Sequence, residues 1–264
     1  MMPDTFDEYY EPFLGGGALF FHLWKKGMLD SKKSYLSDIN FELYNVYKHI
    51  QTNPSDLIDF SSNINLSSNE KTYYINRDRF NELRSLNCNS EELIERAVLM
   101  MYLNRNAYSG MYRENSKGDF NVPFGYYKDP VTINEDNLWA IHYAFKNVIL
   151  THGDYKTVLN HYPPSDDDFV YFDPPYMICQ NVSGFNKYNK NLFDESEQMC
   201  LFRYYMHLSS LGVKCMLSNS SSDVIKSFFN GVSGISINTI NAPRTISRKH
   251  DANKLVQEYV ITNY

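Results

Sequence analysis

Four consecutive residues, Asp173-Pro174-Pro175-Tyr176, have the chemistry to hold a planar amine. Adjacent prolines fix their own φ angles and carry no backbone N–H, so the loop is stiff and the Pro174 carbonyl stays open to an outside donor. Asp173 adds a carboxylate acceptor and Tyr176 an aromatic face. Two acceptors can grip an exocyclic NH2 while its ring lies on the tyrosine. An adenine swung out of a duplex is such an amine. The same tetrapeptide also reads as a strand-ending turn with a surface tyrosine.

A second group lies near the N-terminus. Gly15-Gly16-Gly17 separate a run ending Glu11-Pro12-Phe13-Leu14 from an amphipathic stretch. Strand, glycine loop and helix let a ligand approach backbone N–H groups at a helix N-terminus, although a tight turn needs glycines equally. Asp38 follows about 20 residues later, a distance that suits holding ribose hydroxyls. It is equally placed to cap the next helix. Arg113, in a stretch rich in Gly, Asn and Tyr, can fork onto a guanine edge or be a solvated loop arginine.

The net charge of −6 argues mildly against a nucleic-acid partner, but local balance differs. Residues 71–128 hold nine Lys/Arg against seven Asp/Glu, and Arg244, Arg248, Lys249 and Lys254 face one acid, Asp251, across 241–254. These excesses permit nucleic acid without requiring it. Cys88, Cys179, Cys200 and Cys215 lack CxxC spacing and no HxxxH or HExxH occurs, so neither a disulfide framework nor a metal site is expected. With no apolar run able to span a membrane and no signal-peptide pattern, the expectation is a cytoplasmic protein.

The elements that position these groups alternate strand and helix. Strands are expected at Tyr9–Leu14, Tyr35–Ser37, Val148–Thr151, Phe169–Phe172 and Lys214–Leu217, with a closing hairpin of Ile235–Ile237 and Tyr259–Ile261. Helices are expected at Ala18–Lys26, Phe41–Ile50, Glu91–Leu103, Asp194–Ser210 and Asp223–Phe229, with Asp194 and Glu197 resembling a capping box. The fold class is α/β, and Phe169–Phe172 delivers the tetrapeptide to the carboxyl edge where such sheets bind ligands. The polar stretch 53–69, the apolar helix and the run 104–128 read as an insertion, with a β-hairpin turning at Ser116–Asp119.

A set of ordered segments makes the chain resemble the Dam-type (D12 class) adenine-specific DNA methyltransferases. They are Glu11–Ala18, Ser37–Asn40, the stretch from Arg113 to Gly125, Gly153–Tyr155, the tetrapeptide, and Leu217–Asn219 with the closing Glu258–Tyr264. The resemblance implies a Rossmann-like class I methyltransferase sheet, residues 1–50 and 148–264, binding S-adenosylmethionine. It makes 51–147 an inserted, mainly helical target-recognition domain with a β-hairpin that reads double-stranded DNA.

By that resemblance Glu11, Phe13, Gly15 and Gly17 border the methionine part of the cofactor, Asp38 holds its ribose, Ile39 packs on its adenine, and Asp154 and Tyr155 complete the site. Met111, Arg113, Asn115, Lys117, Pro123 and Arg244 face DNA, with Arg113 the base reader. Asp173, Pro174 and Pro175 grip a flipped adenine and Tyr176 stacks on it. GATC is the first target to expect, and a cognate restriction endonuclease is a possible partner. Relatives carry a Lys-Trp-x-Gly-Gly-Lys segment before the glycine loop, and ten residues precede Glu11 here. Weaker cofactor binding is therefore expected, which favours one alternative, a non-catalytic DNA-binding relative; a methyltransferase acting on RNA, which shares the amine-gripping pocket, is another.

Overall fold

The structure is a computed structural model that describes residues 1–128, 130–176, 193–243 and 255–264. In chain order it runs β1 (Tyr9–Glu11), α1 (Ala18–Lys25), β2 (Ser34–Asp38), α2 (Phe41–Thr52), α3 (Pro54–Ser62), α4 (Glu70–Arg84), α5 (Ser90–Asn106), α6 (Glu135–Ala144) and β3 (Val148–His152). Then follow α7 (Tyr155–His161), β4 (Phe169–Phe172), α8 (Glu195–Ser210), β5 (Lys214–Ser220), α9 (Asp223–Phe229), β6 (Ser236–Pro243) and β7 (Leu255–Thr262). Two compact units result: Met1–Ile39 with Asn147–Tyr264, and Asn40–Lys146.

In the first unit, seven strands among the described residues form one sheet, ordered β3-β2-β1-β4-β5-β7-β6. All neighbours from β3 to β5 are parallel, and β7 enters antiparallel between β5 and β6. Parallel strands covered on both faces read as continuous apolar runs, which is why Tyr9-Tyr10-Glu11 is buried at every position. Tyr10 stacks on Tyr35 with ring centroids 4.5 Å apart, in a core with Phe172, Leu217 and Ile261. This mixed α/β sheet is the Rossmann-like methyltransferase architecture that the sequence predicts.

The inserted unit contains more helix than the sequence suggests. The stretch 53–69, read as polar and irregular, contains α3, and α4, α6 and α7 were not anticipated. The asparagines that make the region look like loop are helix starts. Asn40, Asn53, Asn69, Asn89 and Asn134 each accept a backbone N–H from the first turn of α2, α3, α4, α5 and α6. The 115–119 segment turns as expected, but the hairpin holds two isolated bridges, Ala107 to Phe124 and Glu114 to Phe120, in place of continuous strands. Its side-chain and main-chain bonds go instead to α4: Tyr73 donates to the Val122 carbonyl at 2.8 Å, and Asn81 exchanges two bonds with Phe120.

α2 groups with the inserted unit rather than with the sheet, moving the expected boundary from 50/51 to 39/40. The reason is Glu42, buried at 2% exposure, whose Oε1 accepts from Arg84 Nε at 2.8 Å and whose Oε2 accepts from Arg96 Nε at 2.8 Å. Arg84 reaches on to the Gly118 carbonyl and to Glu114 in the hairpin. Removing one partner of a buried ion pair strands the others without compensation. Glu42→Ala is therefore expected to cost about 3 to 5 kcal/mol. Urea denaturation, with hydrogen exchange read in α4 and α5, checks it; an unchanged midpoint contradicts the role given to Glu42. Among the described residues no helix is long and apolar enough to cross a membrane.

Candidate active site

β1 pairs with β4 through Tyr9 with Phe169 and Tyr10 with Val170, so the loops that follow both strands leave the same edge of the sheet. The strand order reverses at this pair, which opens the crevice where α/β sheets take ligands. On the β1 side, Gly17 takes a left-handed φ of 66° before α1, and a Cβ there would meet the Phe21 ring at 2.8 Å. Only glycine satisfies both conditions. Gly15 N–H donates to Asp38 Oδ2 at 2.8 Å, tying the glycine loop to the end of β2. Phe13 stacks on the buried Tyr155 at 5.3 Å and meets Phe193 edge-on. The Tyr155 hydroxyl has no hydrogen-bond partner among the described residues.

Other expected residues lie as follows. Ile39 follows β2 and is 70% exposed. Asp154 caps α7, its Oδ1 accepting from Lys156 N–H at 2.9 Å. Glu11 is buried, and its Oε2 accepts from the Tyr9 hydroxyl at 2.7 Å and from Phe20 N–H at 3.1 Å. That oxygen joins the end of β1 to the first turn of α1.

On the β4 side, Pro174 is buried while Asp173 and Pro175 reach the surface. Burial of its carboxyl group pushes the Asp173 pKa up to about 6, with the like charge of Glu258 adding to the effect and the phenols of Tyr176 and Tyr171 opposing it. Asp173 is thus an ionised acceptor above about pH 6. The Tyr176 hydroxyl lies near both acids and donates to Glu258 Oε2 at 3.2 Å. Burial, Asp173 and Glu258 all raise its pKa, so the phenol stays protonated. The sequence reading missed Gln198 of α8, whose Nε2 donates to the Pro175 carbonyl at 3.0 Å. A glutamine on the apolar face of a helix was the available signal.

In the inserted unit, Arg113 is exposed at the hairpin and donates from Nε to Asn121 Oδ1 at 2.7 Å. Asn115 Oδ1 accepts from the N–H groups of Lys117 and Asp119, building the turn, and leaves the Lys117 side chain exposed. Met111 packs in part on the unit's core, while Pro123 is exposed and accepts from Tyr108 N–H at 2.8 Å. A groove of about 550 Å³ opens between Arg105, Ser109, Tyr127, Lys128 and Asn134. The sequence reading did not single it out. Arg244 lies outside the described residues. Among those described, no cluster of three or more His, Cys, Asp or Glu could hold a metal ion.

Glu11 carries a pH signature. A free glutamate loses its proton near 4.3. Burial, reinforced by Asp173 and opposed by the two hydrogen bonds, pushes Glu11 up to about 8. The native protein holds the extra proton between those values, so its stability falls as pH rises across the window. Glu11→Gln keeps an oxygen for Tyr9 and Phe20 and never ionises. It is expected to melt close to the parent near pH 4.5 and above it at pH 8; a gap that does not widen with pH contradicts the assignment.

The sequence profile of the D12 class N6 adenine-specific DNA methyltransferases matches residues 1–246. The type II methyltransferase M1.LlaDCHI of Lactococcus lactis subsp. cremoris is 35% identical over 266 residues, covering 100% of this chain and 89% of that protein. The type II methyltransferase M.MjaIII of Methanocaldococcus jannaschii is 37% identical over 265 residues, covering 97% and 88%. A DNA adenine methylase of Serratia marcescens is 30% identical over 244 residues, covering 90% and 82%. With the strand-end loops and the sheet order already in view, the chain belongs to the D12 class of N6 adenine-specific DNA methyltransferases, enzymes that transfer a methyl group to adenine in DNA.

Proposed function

We propose that the loop Asp173–Tyr176 receives the target adenine and that S-adenosylmethionine lies across the ends of β1, β2 and β3. The observation that carries this reading is the β1–β4 register, which brings the glycine loop and the tetrapeptide to one edge of the sheet. The residues on the β1 side fit the cofactor. Gly16 is exposed with open space where a Cβ would stand, Ile39 offers bare apolar surface, and the buried Tyr155 hydroxyl lacks a partner among the described residues. Asp38 and Asp154 stand at the ends of β2 and β3, where a ribose and an adenine amino group need acceptors.

Bound S-adenosylmethionine supplies an electrophilic methyl group on a sulfonium. The protein's part is to make adenine N6 a better nucleophile, because its lone pair is delocalised into the ring. Asp173 and the Pro174 carbonyl accept the two N6 hydrogens and draw the nitrogen toward tetrahedral geometry. Tyr176 carries the ring. Catalysis by fixed acceptors and orientation needs no covalent enzyme intermediate.

The second unit is the target-recognition domain on this reading. Arg113 reads a base, and the basic, polar groove beside Arg105 and Lys128 suits backbone phosphate. GATC is the first site to test, and a restriction endonuclease of the same specificity is the partner to look for.

Asp173→Ala is expected to lower single-turnover methylation by two orders of magnitude or more, roughly 2.7 kcal/mol, while duplex affinity stays close to the parent. A variant keeping more than about a tenth of the rate removes Asp173 from the mechanism. Arg113→Ala should relax discrimination at one base pair by about 1 to 3 kcal/mol, whereas Lys117→Ala weakens all sequences alike. Equal, sequence-independent losses from both would make Arg113 a phosphate contact. Isothermal titration with S-adenosylmethionine, against Asp38→Ala, tests the cofactor side.

A further inference from the structure

The Pro-Pro loop has little freedom left, and the structure shows what removes the remainder. Ring closure sets φ at both prolines, and Pro174, preceding a proline, is restricted to extended ψ. The direction of the Pro174 carbonyl is therefore fixed by the chain itself. The ψ angle of Pro175, which decides where Tyr176 goes, has no such restraint. Nor do the side-chain torsions of Tyr176.

Gln198 acts on the first of these freedoms. It is 3% exposed, and its Nε2 donates to the Pro175 carbonyl at 3.0 Å while its Oε1 accepts from Asn219 Nδ2 at 2.9 Å. Asn219, fully buried in β5, in turn accepts at Oδ1 from Ser220 N–H at 2.8 Å. A carbonyl at one end and an N–H at the other leave one orientation for both amides. This two-amide chain runs from β5 through α8 to the loop. Buried amides bonded at both ends resist reorientation, because a flip leaves a desolvated polar group unpaired.

Glu258 acts on the second. Its register opposite Ser220 brings it to the carboxyl end of β5, beside β4, where its Oε2 accepts from the Tyr176 hydroxyl. The groups with charge or protons facing Asp173 are Tyr9 and Glu11 from β1, Tyr171 from β4, Tyr176 from the loop and Glu258 from β7. From β5 and α8, the uncharged Ser218 bonds the Tyr171 hydroxyl, and Asn219 and Gln198 bond each other and the Pro175 carbonyl. Glu258 opens the closing run Glu258–Tyr264.

We infer that Gln198 and Glu258 are positioning residues for methyl transfer: Gln198 fixes the Pro175 peptide, and Glu258 fixes the Tyr176 ring while setting a second negative charge beside Asp173. The inference rests on the reading that Asp173–Tyr176 is the methyl-transfer loop. Neither residue needs to touch the adenine. Gln198→Met keeps the volume and loses both hydrogen bonds. Glu258→Gln keeps an acceptor for Tyr176 and loses the charge, and Glu258→Ala loses both.

The test is single-turnover methylation of a cognate duplex across pH, with duplex and cofactor affinities measured alongside and Asp173→Ala in the same series. Gln198→Met is expected to slow the step on the order of ten- to a hundredfold with both affinities within about twofold of the parent. Glu258→Gln is expected to keep most of the rate at pH 8 and to move the acid limb to lower pH, since the like charge facing Asp173 is gone. Glu258→Ala shows the same displaced limb together with a slower plateau. A Gln198→Met rate within about twofold of the parent, or Glu258→Gln and Glu258→Ala profiles that superimpose on it, overturns the clamp while leaving the loop's role intact. A fully active Asp173→Ala overturns the loop reading, and the clamp with it.

Discussion

The parallel pairing of β1 with β4 is the constraint on which the rest of the first unit depends. Tyr9 opposite Phe169 and Tyr10 opposite Val170 bring Glu11–Gly17 and Asp173–Tyr176 out of the sheet side by side. A slip of one residue would turn every side chain of β1 to the other face, and the all-buried Tyr9-Tyr10-Glu11 could not be satisfied there. The two loops then solve opposite problems. After β1 the backbone must turn sharply into a helix, which Gly17 permits at positive φ. After β4 it must stay rigid, which two prolines enforce.

That edge collects acids. Glu11, Asp173 and Glu258 lie among the phenols of Tyr9, Tyr171 and Tyr176, and burial is the largest cause of the raised pKa of both Glu11 and Asp173. The two acids nonetheless differ. Glu11, closed off and bonded to Tyr9 and Phe20, rises to about 8 and belongs to the framework. Asp173, nearer solvent, rises to about 6 and is an anion at neutral pH. On the proposed reading, an anionic edge suits a cationic methyl donor, and the ionised Asp173 keeps the stronger acceptor for the adenine amine.

The inserted unit is organised around α4. Its residues Tyr73, Asn81 and Arg84 bond the hairpin at Val122, Phe120 and Gly118, while Glu42 holds Arg84 and Arg96 from α2. A hairpin with two isolated bridges has little stability of its own. Its shape is borrowed from the helix beneath it, so the hairpin's form depends on residues some 30 to 50 positions earlier in the chain.

Local chemistry was enough to determine much of this from the sequence. The strand Phe169–Phe172, the two-proline loop after it, the glycine turn into α1, the Asp194 cap of α8 and the seven-stranded α/β sheet all follow from patterns within a few residues or from the family's ordered segments. What the sequence concealed was non-local. Asparagine at a helix start and asparagine in a loop are the same letter, so α3, α4 and α6 were hidden until their caps could be seen bonding the first turns. Glu42 looks like a surface residue of an amphipathic helix until Arg84 and Arg96, 42 and 54 positions away, surround it. Gln198 and Glu258 acquire a role only when α8 and β7 come to lie against the loop after β4. The tertiary structure decided these points because a buried polar group takes its meaning from its partner, and sequence spacing does not carry the partner.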